Sequence, residues 1–308
     1  MFRTPTAFNH LRSMRNYLYS IVLCIFILSS CEENLDLALK NQSPILVLNA
    51  LAGKDSLVRV NVSRTYNLKE DKTNQTLNGA TVELYNENKL LGSLQALNDG
   101  WYQLDASFES EKEYEIIVRH PDYNAIHSKT LIPLSTPIVD VILEKEDSNR
   151  QYYSLKFDDK EASQDYYMIL LKGISLYETN GESYTYSTDI NYYSDDVVFN
   201  GNLLENATDL EQQYLLGSKT FSDYSFNGQQ TKISFFVEKT SNWSDFAELK
   251  VLLYHVNKDY YAFERSKNMI ENRKNFAFYK KINLHSNVVS GSGIFAGYAV
   301  STMNIKLP

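Results

Sequence analysis

Val58-Arg59-Val60-Asn61-Val62-Ser63 carries an apolar residue at every second position. Successive side chains of an extended strand point to opposite faces, so this stretch reads as a half-buried strand with its valines on one face. The same period recurs in Thr81-Val82-Glu83-Leu84. Working outward, Ile45–Leu51, Tyr114–Arg119 and Thr130–Leu134 add further strands. Asn98-Asp99-Gly100 separates the runs Gly92–Leu97 and Trp101–Leu104, and Asp-Gly accepts the positive φ angles of a tight hairpin turn. Six or seven short strands in about ninety residues predict a small Ig-like or transthyretin-like sandwich over residues 45–135.

Pro133 and Pro137 bracket a short polar stretch, and proline, which lacks a ladder donor, marks the division here. Residues 136–308 form a larger β-rich domain. Its expected strands are Ile138–Leu143, Tyr152–Phe157, Tyr166–Tyr177, Thr231–Glu238, Glu248–Val256, Phe276–Leu284 and Ile294–Lys306. The polar, tyrosine-rich segment from Tyr177 to Asp196 is either a long exposed hairpin or an ordered surface loop, with its tip near Asn180 and Gly181. One amphipathic helix is expected after Asn257, with Tyr260, Phe263 and Ile270 near one face and Lys258, Glu264, Lys267 and Glu271 elsewhere. The fold class is all-β, mainly antiparallel, with that single helix.

The first thirty residues read differently. Arg12 and Arg15 precede an uncharged apolar run from Tyr17 to Leu28, too short for a permanent span of roughly 20 residues, and this pattern is a removable signal peptide. Leu28-Ser29-Ser30-Cys31 resembles the bacterial lipobox, so Cys31 is expected to receive diacylglycerol and palmitate and to hold the chain at a membrane. Residues 31–44 form a polar tether. Glu32 and Glu33, directly behind that cysteine, resemble a surface-export signal, which favours the cell surface over the periplasmic face of the outer membrane.

Loss of Arg3, Arg12 and Arg15 with the leader leaves 27 basic against 38 acidic residues, a formal net charge of −11. Such a surface repels nucleic acid, and no nucleic-acid partner is expected. Of the two cysteines, Cys24 leaves with the leader and Cys31 carries the lipid, so the body has no thiol chemistry and no Cys-ligated zinc.

Several segments together resemble the Bacteroidota lipoprotein family catalogued as domain of unknown function 4249. They are Cys31 with its acidic neighbours, Leu46–Leu51, Gly79 to Tyr85 and Gly100-Trp101-Tyr102. In the second half they are Phe157-Asp158-Asp159 with Asp165-Tyr166-Tyr167, Phe221-Ser222-Asp223 with Asn227-Gly228, and Ser286-Asn287-Val288 with Gly291 to Gly297. The family's proline-rich segment before this last motif is replaced here by Asn275 to Lys280. The resemblance implies an outer-membrane-anchored β protein, often encoded beside TonB-dependent receptors, with no established activity.

Chemistry is sparse in the sequence. His120, His127, His255 and His285 show no metal-ligand spacing, and His120 and His127 are expected on solvated loops without a carboxylate partner. Gly291-Ser292-Gly293 leads into a β-like run, not a helix N-terminus, so it reads as a turn and not a phosphate cradle. The pairs Asp158-Asp159 and Asp195-Asp196 read as solvated turn residues, since adjacent carboxylates on a strand face opposite ways. No catalytic residue, metal or cofactor is expected. Tyrosine is abundant, 23 in all, and Tyr184, Tyr186, Tyr192 and Tyr193 are the candidate ligand or partner contacts, because tyrosine offers large area at low entropy cost. Good strand-forming residues on a half-buried sheet are the plainer account of the same tyrosines. The expected role is a non-enzymatic accessory lipoprotein working with an outer-membrane receptor or transporter of the TonB-dependent type. Stand-alone glycan capture at the surface is the alternative, and a hydrolase the third.

Overall fold

The computed structural model describes residues 43–66, 76–160, 164–179, 181–199, 219–272 and 282–307. The expected signal peptide, Cys31, Glu32, Glu33 and nearly all of the expected tether lie outside the described residues, as do Asn180 and the 275–280 departure.

The alternation quoted first becomes a strand with buried valines. β1 (Leu46–Gly53) pairs antiparallel with β2 (Leu57–Arg64), and Val58, Val60 and Val62 of β2 are fully buried. A second sheet follows from β3 (Thr81–Asn86) and β4 (Lys89–Ser93), while β5 (Gln95–Ala96) and β6 (Trp101–Ser107) return to the first. The run expected as one strand from Gly92 to Leu97 is therefore divided. Leu94 donates its N–H to Val82 O and is buried, and the chain changes sheet around it. Asp99 and Gly100 adopt φ of 56° and 71°, as the Asp-Gly hairpin requires. β7 (Glu113–His120) and β8 (Tyr123–Leu131) complete the sheet β4-β3-β7-β8. Between the two sheets lies a core that includes Leu48, Val60, Leu84, Tyr102, Ile116 and Phe295, the expected sandwich.

After Pro133 and Pro137, β9 (Ile138–Glu146) and β10 (Arg150–Asp158) begin a four-stranded sheet, β13-β15-β10-β9. Its remaining members are β13 (Tyr192–Tyr193) and β15 (Gln230–Glu238). β11 (Tyr166–Thr179) and β12 (Glu182–Ile190) are a long hairpin, which resolves the choice between hairpin and loop; β14 (Thr220–Ser222) pairs with the start of β11. β16 (Glu248–Val256) leads through Asn257 into α1 (Lys258–Asn272), where Asn257 Oδ1 accepts the N–H of Tyr260 at 3.0 Å as a cap. No strand is present at residues 282–284, the described part of the expected strand Phe276–Leu284.

β17 (Ser292–Lys306) joins the halves. Its first seven residues pair parallel with β1 and its later ones antiparallel with β16, so the order β12-β11-β16-β17-β1-β2-β6-β5 runs through both. One sheet therefore crosses the division drawn at residue 135, and the first core takes Val288 and Phe295 from beyond it. Close approach is what Gly293 allows: its φ is +110°, and a Cβ there would stand 2.0 Å from Leu48 O. Asn287 pins the turn before β17, donating to Phe295 O at 2.7 Å and accepting from Phe295 N–H at 3.0 Å.

Candidate functional site

Two places combine exposed or unusual side chains. The first grows from the alternation of β11. Tyr167, Ile169 and Leu171 lie on one face and enter the core beneath the four-stranded sheet; Gly173, Ser175 and Tyr177 continue that face beyond it. Opposite them on β12, Tyr177 pairs with Tyr184 and Ser175 with Tyr186, and the Tyr177 and Tyr186 rings meet edge to face at 5.5 Å. Phe246, at the end of the single turn Trp243–Asp245, lies directly on Gly173, where a Cβ would be 2.7 Å from its ring. Tyr177, Tyr184, Tyr186, Asn242, Asp245 and Phe246 thereby line an open trough of about 670 Å³. Eight of the nine β12 residues are exposed, Tyr186 by 59%.

The four candidate tyrosines do not form one surface. Tyr184 and Tyr186 share the trough, whereas Tyr192 and Tyr193 belong to the other sheet. Being adjacent in a strand, those two face opposite ways. Tyr192 turns inward against Phe235 and Phe199, at 5.6 and 6.0 Å, and its hydroxyl is buried and so not presented at the surface. Tyr193 faces out and stacks on Phe236 at 5.3 Å, which in turn meets Tyr152. Arg150 lies over Phe236 and Lys145 over Tyr152, giving a second aromatic platform with cations on it.

The second place is built at strand ends. Asp159 follows β10, Asp165 precedes β11 and Asp223 follows β14, and one carboxylate oxygen from each lies within 4.8 Å of the others. Asp159 accepts hydrogen bonds from the Tyr167 hydroxyl and from Gly228 N–H at 2.8 Å. Asp223 Oδ2 accepts from Asp165 N–H at 2.9 Å, and Asp223 N–H returns to Asp165 O at 3.1 Å. Asp223 is fully buried and its Oδ1 has no partner among the described residues. Burial, with the two neighbouring carboxylates adding to it, pushes the Asp223 carboxyl up to about 6. Burial also raises the Tyr167 hydroxyl well above the phenol range, helped by its bond to Asp159.

His255 of β16 stands beside this cluster. Its Nδ1 lies 2.8 Å from Leu134 O and its Nε2 3.4 Å from Asp165 Oδ1, while its ring lies 5.1 Å from that of Tyr167. Asp165, His255, Thr136, Lys160, Gln164 and Lys258 help line an adjoining cavity of about 620 Å³.

Asp158 and Asp159 part as strand alternation requires, but only Asp158 is solvated; Asp159, expected in a solvated turn, is buried under Tyr167 and Gly228. His120 and His127 sit on β7 and β8, not on loops, and His127 Nδ1 meets Glu115 at 3.0 Å across the ladder, so the expected absence of a carboxylate partner does not hold. The three aspartates of the second place come from the segments Phe157 to Tyr167 and Phe221 to Gly228. Nothing in their spacing announced that they meet.

A family model described as Domain of unknown function (DUF4249) matches residues 32–304. No curated protein matches the chain. Among solved structures, the crystal structure of Salmonella alpha-2-macroglobulin reacted with methylamine is similar over 70% of this chain at 11% identity and a TM-score of 0.22. The match spans 14% of that protein's chain.

Proposed function

We propose the following role for this chain, which belongs to the DUF4249 family: it is an outer-membrane-anchored accessory lipoprotein, a non-enzymatic binding or assembly partner of an outer-membrane receptor of the TonB-dependent type. The anchor rests on the sequence Leu28-Ser29-Ser30-Cys31 behind its charged and apolar leader, and surface display on Glu32 and Glu33. The observation that carries the binding role is the β11–β12 hairpin. Among the described residues β12 is the outermost strand of its sheet, and it presents Tyr184 and Tyr186 beside Tyr177. An unpaired edge offers backbone donors and acceptors to an added strand, and large, stiff aromatic side chains give contact area at low entropy cost.

The trough itself favours a second reading, capture of a glycan. Aromatic rings at Tyr177, Tyr184 and Tyr186 can stack on sugar faces while Asn242 and Asp245 hydrogen-bond hydroxyls. Affinity purification from the native membrane in mild detergent tests the first reading. The wild-type chain should retain a stoichiometric outer-membrane receptor that a Tyr177→Ser, Tyr184→Ser, Tyr186→Ser variant loses. Retention of no such partner by wild type, with glycan binding that the same variant abolishes, would replace the first reading by the second.

A further inference from the structure

We infer that Asp159, Asp165 and Asp223 hold one divalent cation, with His255 at its side. The span comes first. Two ligands on opposite sides of an ion with bonds of about 2.4 Å stand about 4.8 Å apart, and the three carboxylate oxygens lie within 4.8 Å of one another. Oxygens gathered so closely from the ends of β10, β11 and β14 repel each other unless positive charge or a proton sits among them.

The second observation is independent of the grouping. Asp223 is 0% exposed, and its Oδ1 has neither a donor nor solvent among the described residues. A buried carboxylate is normally paired, hydrogen-bonded on both oxygens or bound to a metal. Among the described residues, the donors bonded to the two buried carboxylates are placed elsewhere: Tyr167 hydroxyl and Gly228 N–H on Asp159, and Asp165 N–H on Asp223 Oδ2. The histidine adds a third. With Nδ1–H donated to the Leu134 carbonyl, His255 presents Nε2 to the Asp165 side, and that backbone bond is what orients an imidazole whose other nitrogen receives a ligand. Asp165 and His255 also line the 620 Å³ cavity, a path by which an ion reaches the buried pair.

This site lies outside the tyrosine trough and does not depend on it. The competing arrangement is a proton shared among the carboxyls with no metal. Full-length lipidated protein in detergent, stripped with a chelator and then titrated with calcium chloride or with manganese chloride, separates the two by calorimetry, thermal denaturation and metal content after desalting. The expected result is one ion per chain and a saturable rise in melting temperature. Preference for calcium describes an all-oxygen site, and preference for manganese puts Nε2 among the ligands. Asp223→Asn should weaken binding at least about tenfold, and Asp158→Asn, whose exposed carboxylate bonds Gln230, should leave it unchanged. Wild-type protein that takes up neither ion at millimolar concentration, or an Asp223→Asn variant that binds as tightly as wild type, would overturn the inference. The wild-type titration stands whether or not the variant folds.

Discussion

Tyr167 and Tyr184 each donate a hydroxyl to a carboxylate, Tyr167 to Asp159 and Tyr184 to Glu182 at 2.6 Å. The two bonds are chemically alike, yet Tyr167 is fully buried and Tyr184 is 43% exposed. Both residues stand on the same hairpin and on the same face of its sheet; what separates them is the four-stranded sheet that covers the start of β11 and stops short of its end. Position under that cover converts one tyrosine into part of a buried polar cluster and leaves the other free to meet a ligand. The energetic difference follows from the reference state: an exposed group cut from its partner turns to water, whereas a buried one has no such recourse.

The broadest test of this contrast is alkaline titration. Burial holds the hydroxyls of Tyr153, Tyr167, Tyr192 and Tyr260 above the ordinary phenol range. In the unfolded chain the same groups lose their protons near pH 10. Above that point the native state therefore binds more protons than the unfolded state, and stability falls as pH rises, by about 1.4 kcal/mol per pH unit for each phenol held back. We expect spectrophotometric titration near 295 nm to end in a steep step that coincides with loss of the β-sheet circular dichroism signal, as these four phenols release their protons together. A single smooth titration without unfolding would mean that burial does not hold these phenols back.

Next in size is Tyr167→Phe. The ring contacts with Phe157 at 5.0 Å and Phe221 at 5.7 Å survive the change, but Asp159 loses a donor inside the core. Leaving a buried acceptor short of its hydrogen bond costs about 1–3 kcal/mol, measurable as a lower midpoint in urea with an unchanged slope. An unchanged midpoint would mean that the Asp159 oxygen finds another partner.

Much of this was legible in the residues because it is local. Alternation in Val58 to Ser63 needs no knowledge of the rest of the chain, nor does the Asp99-Gly100 turn or the Asn257 cap. Alternation also contained the separation of Tyr192 from Tyr193, since neighbours on a strand cannot share a face; reading tyrosines by cluster instead of by parity hid it. What depended on distant partners was not legible. The chain changes sheet at Leu94 because Val82 O is there to receive its N–H. β17 lies as close to β1 as it does because Gly293 leaves room for the Leu48 backbone. Asp159 and Asp165 come from one stretch of the chain, Asp223 from a second and His255 from a third; their meeting is set by the packing of two sheets, and no spacing rule encodes it.

Tyr184→Phe carries the smallest expected effect and isolates the contrast most cleanly. The lost bond to Glu182 joins two exposed side chains two residues apart on an edge strand, and both groups turn to water when it is removed. Such a bond exchanges protein for solvent at nearly equal free energy, so the urea midpoint should match wild type within error. The ring remains to pack beside Tyr177 and Tyr186, so contacts that use aromatic area should persist and those that use the hydroxyl should weaken. Comparing this variant with Tyr184→Ser in the membrane pull-down then separates the two uses of the side chain. A stability loss for Tyr184→Phe equal to that of Tyr167→Phe would show that the trough is covered in the folded protein, and the division between a buried and a presented tyrosine on one sheet face would fail.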